Sequence, residues 1–296
     1  MISTRSSRRA VTAAVLSTLS IVAVGQIRND SLYESIVDGR TDELLLAFDS
    51  GIGPNASLFV PNSDIAVYLL EIALGAENDA AALELLSAGA SVPSVESRLG
   101  DYSLLQYMAR HGMTRSILYW IDRNPTAYYE DGGASFLSAI FFGHTWTAEA
   151  LLSRLKMSLP PDELQRILDE ALVRAVGKKV EPTFIERLLA EGANPGSSPV
   201  LIAAVANCSP NAVDTFLRLG SNPNEVHEQT HVATYALRCF SLLGEEDARS
   251  SFARIIRSLF SAGSNVCAAL AHVPKNVEEA EASIIDEAID SLMICP

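Results

Sequence analysis

Residues 227–231 read His-Glu-Gln-Thr-His, the HExxH pattern that binds zinc in metal-dependent hydrolases. On an α-helix this spacing places His227 and His231 on one face as zinc ligands and leaves Glu228 as the catalytic base. In an extended chain the two histidines stand more than about 10 Å apart, too far to share one metal ion. Here the pattern follows Asn224 in a predicted connection between helices, and no third ligand is specified. We therefore predict no metal site and no catalytic residue, with a zinc-dependent hydrolase as the alternative function.

The remaining histidines form no recognisable catalytic group. His111, His144 and His272 are scattered, and the first two adjoin Gly112 and Gly143 at predicted breaks between helices. Histidine beside glycine at such a break is expected to cap a helix end. The sequence also lacks the Gly-x-Ser-x-Gly elbow of a nucleophilic serine and the glycine-rich loop that binds phosphate. We predict no cofactor.

The composition describes an acidic, folded protein. The chain has 296 residues, of which 48% are hydrophobic, and its 36 acidic side chains outnumber 22 Lys and Arg for a net charge of −14. Enough apolar residues are present for a core, which excludes a mainly disordered chain. The acidic balance argues against binding nucleic acid or anionic lipid through bulk charge. A protein partner with a basic surface or site fits better.

The N-terminus has the features of a secretory signal. Three arginines precede a mostly apolar run over residues 10–24, and Ala23-Val24-Gly25 supplies small residues at a cleavage site. The run is short for a membrane-spanning helix, which needs about 20 apolar residues. We expect residues 1–25 to be a signal peptide and the mature chain to be periplasmic or secreted, with no stable membrane insertion after cleavage. An expected periplasmic location implies a bacterial source.

An apolar doublet recurs shortly before a Gly or Asn that is predicted to end a helix. The instances are Ala47-Phe48 before Gly51, Leu85-Leu86 before Gly89, Trp120-Ile121 before Asn124, Leu188-Leu189 before Gly192, Phe216-Leu217 before Gly220 and Leu259-Phe260 before Gly263. With Leu155 as an irregular member, the intervals average about 35 residues. We expect each doublet to bury one helix face and each Gly or Asn to adopt the left-handed conformation.

The residues after these glycines are alike, and they carry a resemblance. They read Gly51-Ile52-Gly53-Pro54-Asn55, Gly89-Ala90-Ser91-Val92, Gly192-Ala193-Asn194-Pro195, Gly220-Ser221-Asn222-Pro223-Asn224 and Gly263-Ser264-Asn265-Val266. This series resembles the G-A-D-x-N turn of ankyrin repeats, and residues 198–204 resemble the T-P-L-H-x-A-A opening of that family's first helix. Tetratricopeptide arrays have nearly the same period, but their helices do not end in such turns.

The resemblance covers about residues 32–266 and implies a fold. That fold is an all-α, ankyrin-type α-solenoid of about seven helix-turn-helix repeats with short hairpin fingers. We expect a solenoid over residues 26–275 and a C-terminal capping helix over residues 276–296. No copy keeps the complete T-P-L-H sequence, and Pro160-Pro161 is expected to interrupt the array.

The four cysteines lie in the last third of the chain and allow three pairings. In an oxidising compartment an even number of cysteines in neighbouring repeats indicates disulfides. Cys267 follows the last repeat turn, and Cys295 ends the cap helix that must fold back onto it. We therefore predict a Cys267–Cys295 bond, with Cys208–Cys239 as the complementary pair.

The connection after Asn124 contains adjacent aromatic rings, Tyr128 and Tyr129, followed by Glu130 and Asp131. Two neighbouring rings in a polar turn cannot both face a core, so we predict these four residues as protein contacts. The resemblance implies a non-catalytic module that binds proteins through hairpin tips and first helices. An inhibitor or immunity protein and an envelope scaffold are the two roles that fit an exported chain of this kind.

Overall fold

The computed structural model describes residues 29–92, 102–196, 199–239 and 245–265. The predicted signal peptide, the predicted capping helix, Cys267 and Cys295 lie outside these ranges. The described residues are mostly helical. The α-helices are α1 (Asp30–Asp38), α2 (Thr41–Asp49), α3 (Leu69–Gly75), α4 (Asp79–Ser87), α5 (Leu104–Arg110), α6 (Thr114–Arg123), α7 (Pro125–Glu130), α8 (Ala134–Phe141), α9 (Thr145–Ser158), α10 (Pro161–Gly177), α11 (Pro182–Ala190), α12 (Val200–Ala206), α13 (Pro210–Arg218) and α14 (Glu245–Ser261).

Two short antiparallel hairpins join helix pairs within the described ranges. Strands β1 (Ser57–Phe59) and β2 (Ala66–Tyr68) pair with Leu58 opposite Val67. Strands β3 (Val226–His227) and β4 (Thr230–His231) pair with Val226 opposite His231. Both hairpins follow a repeat turn, as the expected fingers of the solenoid do.

The chain divides into two compact units between Tyr128 and Tyr129. The first unit contains the helix pairs α1–α2, α3–α4 and α5–α6. The second contains α8–α9, α10–α11, α12–α13 and a last pair made of a 3₁₀ helix (Val232–Arg238) and α14. These seven pairs correspond to the seven predicted repeats. The seventh differs from expectation because its first helix is 3₁₀ and not α.

The predicted helix ends are present at all five glycines. Gly51, Gly89, Gly192, Gly220 and Gly263 have φ between 89° and 105°, the left-handed region that favours glycine. Around Gly89, the N–H of Ala90 donates to the carbonyl of Leu85, so the end of α4 keeps its backbone groups bonded. Asn124 does not follow this rule: its φ is −131°, and α7 begins at the next residue.

The doublets contribute to the core, but less evenly than expected. Leu85 and Leu86 are both buried, whereas Leu259 is buried and Phe260 is 45% exposed. Consecutive helical residues point about 100° apart, so one narrow buried face holds only one of the two. The largest buried side chains include Leu69 and Leu85 in the first unit and Phe136, Phe184 and Phe216 in the second. Burying each stabilises the fold by about 1.5–3 kcal/mol.

Pro160 and Pro161 start a helix instead of interrupting the array. The chain is extended at Leu159, and Pro161 occupies the first position of α10. Proline fits that position because its fixed φ is helical and its missing N–H would have no partner within the helix. The expectation of a break was therefore wrong.

Candidate functional site

The HExxH stretch forms the β3–β4 hairpin, as the sequence predicted. His227 ends β3, Glu228 and Gln229 form the turn, and His231 ends β4. Both turn residues have positive φ, 48° and 66°, as the two central residues of a type I′ turn do. The five residues therefore do not have the helical geometry that a metalloprotease requires.

The two histidines lie on opposite faces of this hairpin. His227 is opposite Thr230 and His231 is opposite Val226, and successive strand residues alternate between faces. His231 is half-buried, and its Nδ1 accepts a hydrogen bond from the N–H of Ala233 at 3.2 Å. Burial lowers the pKa of His231 because the charged imidazolium is penalised away from water. The hairpin therefore holds a neutral, backbone-bonded His231 that does not share a metal with His227.

Metal binding finds no other support in the described ranges. Within residues 29–92, 102–196, 199–239 and 245–265, no three His, Cys, Asp or Glu side chains are grouped as ligands of one ion. The histidines at the predicted breaks lie where they were expected. His111 caps the end of α5 and His144 precedes α9. The Nδ1 of His111 lies 2.9 Å from an oxygen of Glu77, and its ring packs 4.5 Å from that of Tyr107.

A disulfide joins Cys208 and Cys239, the pair named from the sequence. Their Cα atoms are 5.3 Å apart, within the usual range for a disulfide. Cys208 follows α12 and Cys239 follows the 3₁₀ helix, so the bond ties the first helices of two consecutive repeats together. Both residues are buried. The disulfide is therefore buried within the fold, where it links two repeats.

Only part of the predicted protein contact at residues 128–131 is exposed to solvent. This stretch is not a polar turn, because Pro125 begins the short helix α7, which continues to Glu130. Tyr128 is 1% exposed, so the prediction that both rings face a partner was wrong. Asp131 accepts hydrogen bonds from the N–H and hydroxyl of Ser135 at the start of α8. Tyr129, 52% exposed, and Glu130 face solvent.

The first two helix pairs, α1–α2 and α3–α4, carry a dense negative charge. Residues 29–92 contain eleven Asp and Glu but one basic residue, Arg40. Arg40 pairs with its neighbours Asp38 and Glu43, at 3.5 and 2.7 Å. Four exposed carboxylates on the first two helices have no ion-pair partner among the described residues: Asp30, Glu34, Asp42 and Asp49. An uncompensated field of one sign attracts a partner of the opposite sign.

Helix α2 combines that charge with exposed apolar side chains. Leu45 is 44% exposed and Leu46 is 66% exposed, whereas Leu44 is fully buried. Asp42 and Asp49 lie three and four residues from this pair, on the same face of the helix. We call Asp42, Leu45, Leu46 and Asp49 the α2 face. Leu46 also borders a groove of about 280 Å³ between α1 and α2.

The α2 face was not predicted from the sequence, although the sequence contains a signal for it. Leu44, Leu45 and Leu46 are consecutive, and three adjacent helical residues cannot all enter one core. A local charge count would have shown the excess of acid in the same segment. The net charge of the whole chain does not reveal this local excess of acidic residues.

A second exposed apolar cluster lies at the break between α8 and α9. Phe141, Phe142 and Trp146 are 42%, 39% and 76% exposed. The two Phe rings pack edge to face at 5.0 Å, and the Nζ of Lys178 lies 3.6 Å from the centre of the Phe141 ring. This cation–π contact covers one ring and makes the cluster locally basic. Its surroundings therefore differ from those of the α2 face.

No helix in the described ranges combines the length and apolarity needed to cross a membrane.

The comparisons with known proteins identify the fold. No protein family matches the sequence, and no curated protein does either. Among solved structures, the human ASB11 ankyrin repeat domain matches with a TM-score of 0.51 and 18% identity, over 78% of this chain and 97% of that domain. The ankyrin repeat domain of Bcl-3, a member of the IkappaB protein family, matches with a TM-score of 0.31 and 17% identity, over 79% and 86%. Together with the repeat turns described above, the first of these similarities shows that this chain has the ankyrin-repeat fold.

Proposed function

We propose that this chain is a non-catalytic protein-binding module whose first unit binds a partner with a basic surface. The observation that carries the proposal is the α2 face, where two exposed leucines lie between two carboxylates that have no ion-pair partner among the described residues. Protein interfaces combine a small apolar centre with a charged rim in this way. The ankyrin-repeat fold supports the proposal because repeat arrays present extended binding surfaces.

The charge and the leucines would contribute to binding differently. Eleven acidic residues against one arginine accelerate the encounter with a basic partner at low salt. Burial of Leu45 and Leu46 in the complex then slows dissociation, because removing apolar side chains from water is favourable and affinity differences between related complexes lie mostly in the dissociation rate. The proposed interface is therefore salt-sensitive in its association rate and leucine-dependent in its dissociation rate.

We also propose that the chain is exported. The Arg-rich N-terminus with its short apolar run and Ala23-Val24-Gly25 end supports cleavage after residue 25. The Cys208–Cys239 bond supports the same compartment, because disulfides persist in oxidising surroundings such as the periplasm or the cell exterior. Within that compartment, an inhibitor or immunity protein and an envelope scaffold are the roles that an acidic binding module suits.

A second contact is proposed at the exposed end of α7. Tyr129 and Glu130 face solvent, and tyrosine is a common anchor in protein interfaces. Tyr128 is excluded from this contact by its burial.

Affinity capture from the native envelope tests the main proposal. We expect the immobilised mature chain to retain a protein with a basic surface at low salt and to release it as salt rises. A variant with Asp30→Asn, Glu34→Gln, Asp42→Asn and Asp49→Asn should lose that protein. The control neutralises four acids in the second unit, Asp162→Asn, Glu163→Gln, Glu186→Gln and Asp247→Asn, and should retain it. Equal retention by both variants would exclude the first unit as the interface.

A further inference from the structure

An arginine-lined groove lies in the second unit, in a chain that is acidic as a whole. The groove runs between α13 and α14, the second helices of consecutive repeats, and has a volume of about 850 Å³. It is lined by Arg218, Arg254, Arg257 and Asp214, and by the hydroxyl side chains of Thr215 and Ser258. It contains three guanidinium groups and one carboxylate.

The one carboxylate is already occupied within the protein. Asp214 accepts a hydrogen bond from the Ser258 hydroxyl at 2.5 Å and from Arg254 at 2.7 Å. Arg254 also donates to the side-chain oxygen of Asn211 at 2.8 Å. Burial raises the pKa of Asp214, but these hydrogen bonds and the nearby positive charge outweigh burial and hold the pKa below its usual value. Asp214 therefore stays ionised and fixes Arg254 in the wall of the groove.

Neither of the other two arginines forms an ion pair within the described residues, although the charge of Arg218 helps to lower the pKa of Asp214. Arg257 makes no ion pair or hydrogen bond within the described part of the chain, and it is exposed. Arg218 makes only long hydrogen bonds, at 3.3 Å to the Asp214 carbonyl and 3.4 Å to the Thr215 hydroxyl. Guanidinium groups bind carboxylates and phosphates through two parallel hydrogen bonds, and both groups keep donors for that purpose.

The lining also restricts the kind of anion that fits. It contains no aromatic side chain, so nothing is present on which a nucleobase could stack. The groove is open along two helices and is not an enclosed pocket, a shape that suits an extended segment more than a small molecule. The hydroxyls of Thr215, Ser258 and Ser261 add donors and acceptors beside the arginines.

We propose that this groove binds an acidic peptide segment, with Arg218 and Arg257 each holding a carboxylate of the segment and Arg254 positioned beside them by Asp214. This site is separate from the α2 face, and its ligand has the opposite charge from the partner proposed there. The net charge of −14 repels an acidic peptide from most of the chain. We therefore attribute binding of an acidic peptide to this groove.

The test uses a fluorescein-labelled peptide of about twelve residues with alternating Glu and Ser, measured by fluorescence anisotropy at about 50 mM salt. We expect the folded chain to bind this peptide and not a matched peptide with Gln in place of Glu. Arg218→Ala with Arg257→Ala should weaken binding by at least about tenfold. Arg218→Lys with Arg257→Lys should weaken it severalfold, because lysine keeps the charge and loses the two-bond geometry.

The matched control removes two exposed arginines elsewhere, Arg123→Ala with Arg166→Ala, and should leave peptide affinity unchanged. Circular dichroism melts check that all variants remain folded. Equal losses in the groove and control variants, equal binding of the Gln peptide, or no binding of the Glu peptide would overturn the proposal. Tighter binding of a thymidine oligonucleotide of similar length through the same arginines would overturn the assignment to a peptide.

Discussion

The side chain of Asp79 binds the first turn of the next repeat through Ser116. One carboxylate oxygen of Asp79 accepts hydrogen bonds from the Ser116 N–H at 2.8 Å and hydroxyl at 2.6 Å, and the other accepts from the N–H of Arg115 at 2.9 Å. The carboxylate thus caps α6 from α4, and its charge opposes the positive end of the α6 dipole. In the second unit Asp214 also links the second helices of two consecutive repeats, by accepting a hydrogen bond from Ser258 in the last turn of α14, but it caps no helix.

Replacing Asp79 tests whether such side chains hold neighbouring repeats together. Asp79→Ala removes the acceptor for two backbone donors, and we expect the free energy of unfolding to fall by about 1–3 kcal/mol. Asp49→Ala removes an exposed carboxylate from the same unit and should change stability by less than about 0.5 kcal/mol. Urea unfolding followed by circular dichroism measures both. Equal losses of stability in the two variants would show that the hydrogen bonds of Asp79 contribute nothing beyond the removal of one negative charge.

The Cys208–Cys239 bond should contribute strongly to the stability of the second unit. It closes a loop of 31 residues, and the chain-entropy relation gives about 3–4 kcal/mol for a loop of this size. We expect Cys208→Ala with Cys239→Ala to lower the free energy of unfolding by that amount. Peptide mapping without reductant should recover the two cysteines in one linked pair. Recovery of both as free thiols would contradict the bond.

A measurement of bound zinc distinguishes the two interpretations of the HExxH stretch, a structural hairpin and a metal site. Because His227 and His231 lie on opposite faces of a hairpin, we expect the purified chain to contain no stoichiometric zinc. His231→Ala should leave the metal content, measured by mass spectrometry of the elements, unchanged. One zinc per chain that is lost in this variant would establish the site that the hairpin geometry argues against.

The stability of the chain should depend on pH through His231. Its pKa is lowered in the folded state by burial, whereas an unfolded histidine binds a proton near pH 6.5. Below that pH the unfolded state binds more protons, so the contribution of neutral His231 to stability is lost as pH falls. Protonation of Nδ1 would also remove its hydrogen bond from Ala233.

The comparison variant for this prediction is His231→Asn, which keeps a side-chain acceptor and does not titrate. We expect wild type to lose stability relative to this variant as pH falls from about 7.5 to about 5.5. Thermal melts at several pH values measure the difference. A difference that does not change with pH, or that changes in favour of wild type, would contradict the burial of a neutral imidazole.

The repeat architecture was predictable because its signals are local and recur. Glycine in the left-handed conformation commonly ends a helix, so Gly51 and Gly220 could each be placed from the sequence around them. The hairpin at His227 could be predicted in the same way, because it follows the repeat turn that begins at Gly220. Asn124 failed because Pro125 starts a new helix directly after it.

The binding surfaces were harder to predict because they depend on which face of a helix stays uncovered. Tyr128 and Tyr129 are adjacent, yet α7 buries one and exposes the other. The groove at Arg218 and Arg257 joins two helices about 40 residues apart, and no motif marks that pairing. Periodicity predicts which elements form, but the partners of each face depend on tertiary packing.

The central claim, that the α2 face binds a basic partner, is tested most directly by removing its leucines. The measurement is the affinity of the captured partner by surface plasmon resonance, for wild type, for Leu45→Ser with Leu46→Ser, and for a control, Met157→Ser with Leu219→Ser. The control residues are 74% and 47% exposed and lie in the second unit. We predict a loss of at least about tenfold, mainly in the dissociation rate, for the α2 variant and no loss for the control. Unchanged affinity in the α2 variant, or a partner with an acidic surface, would contradict the account.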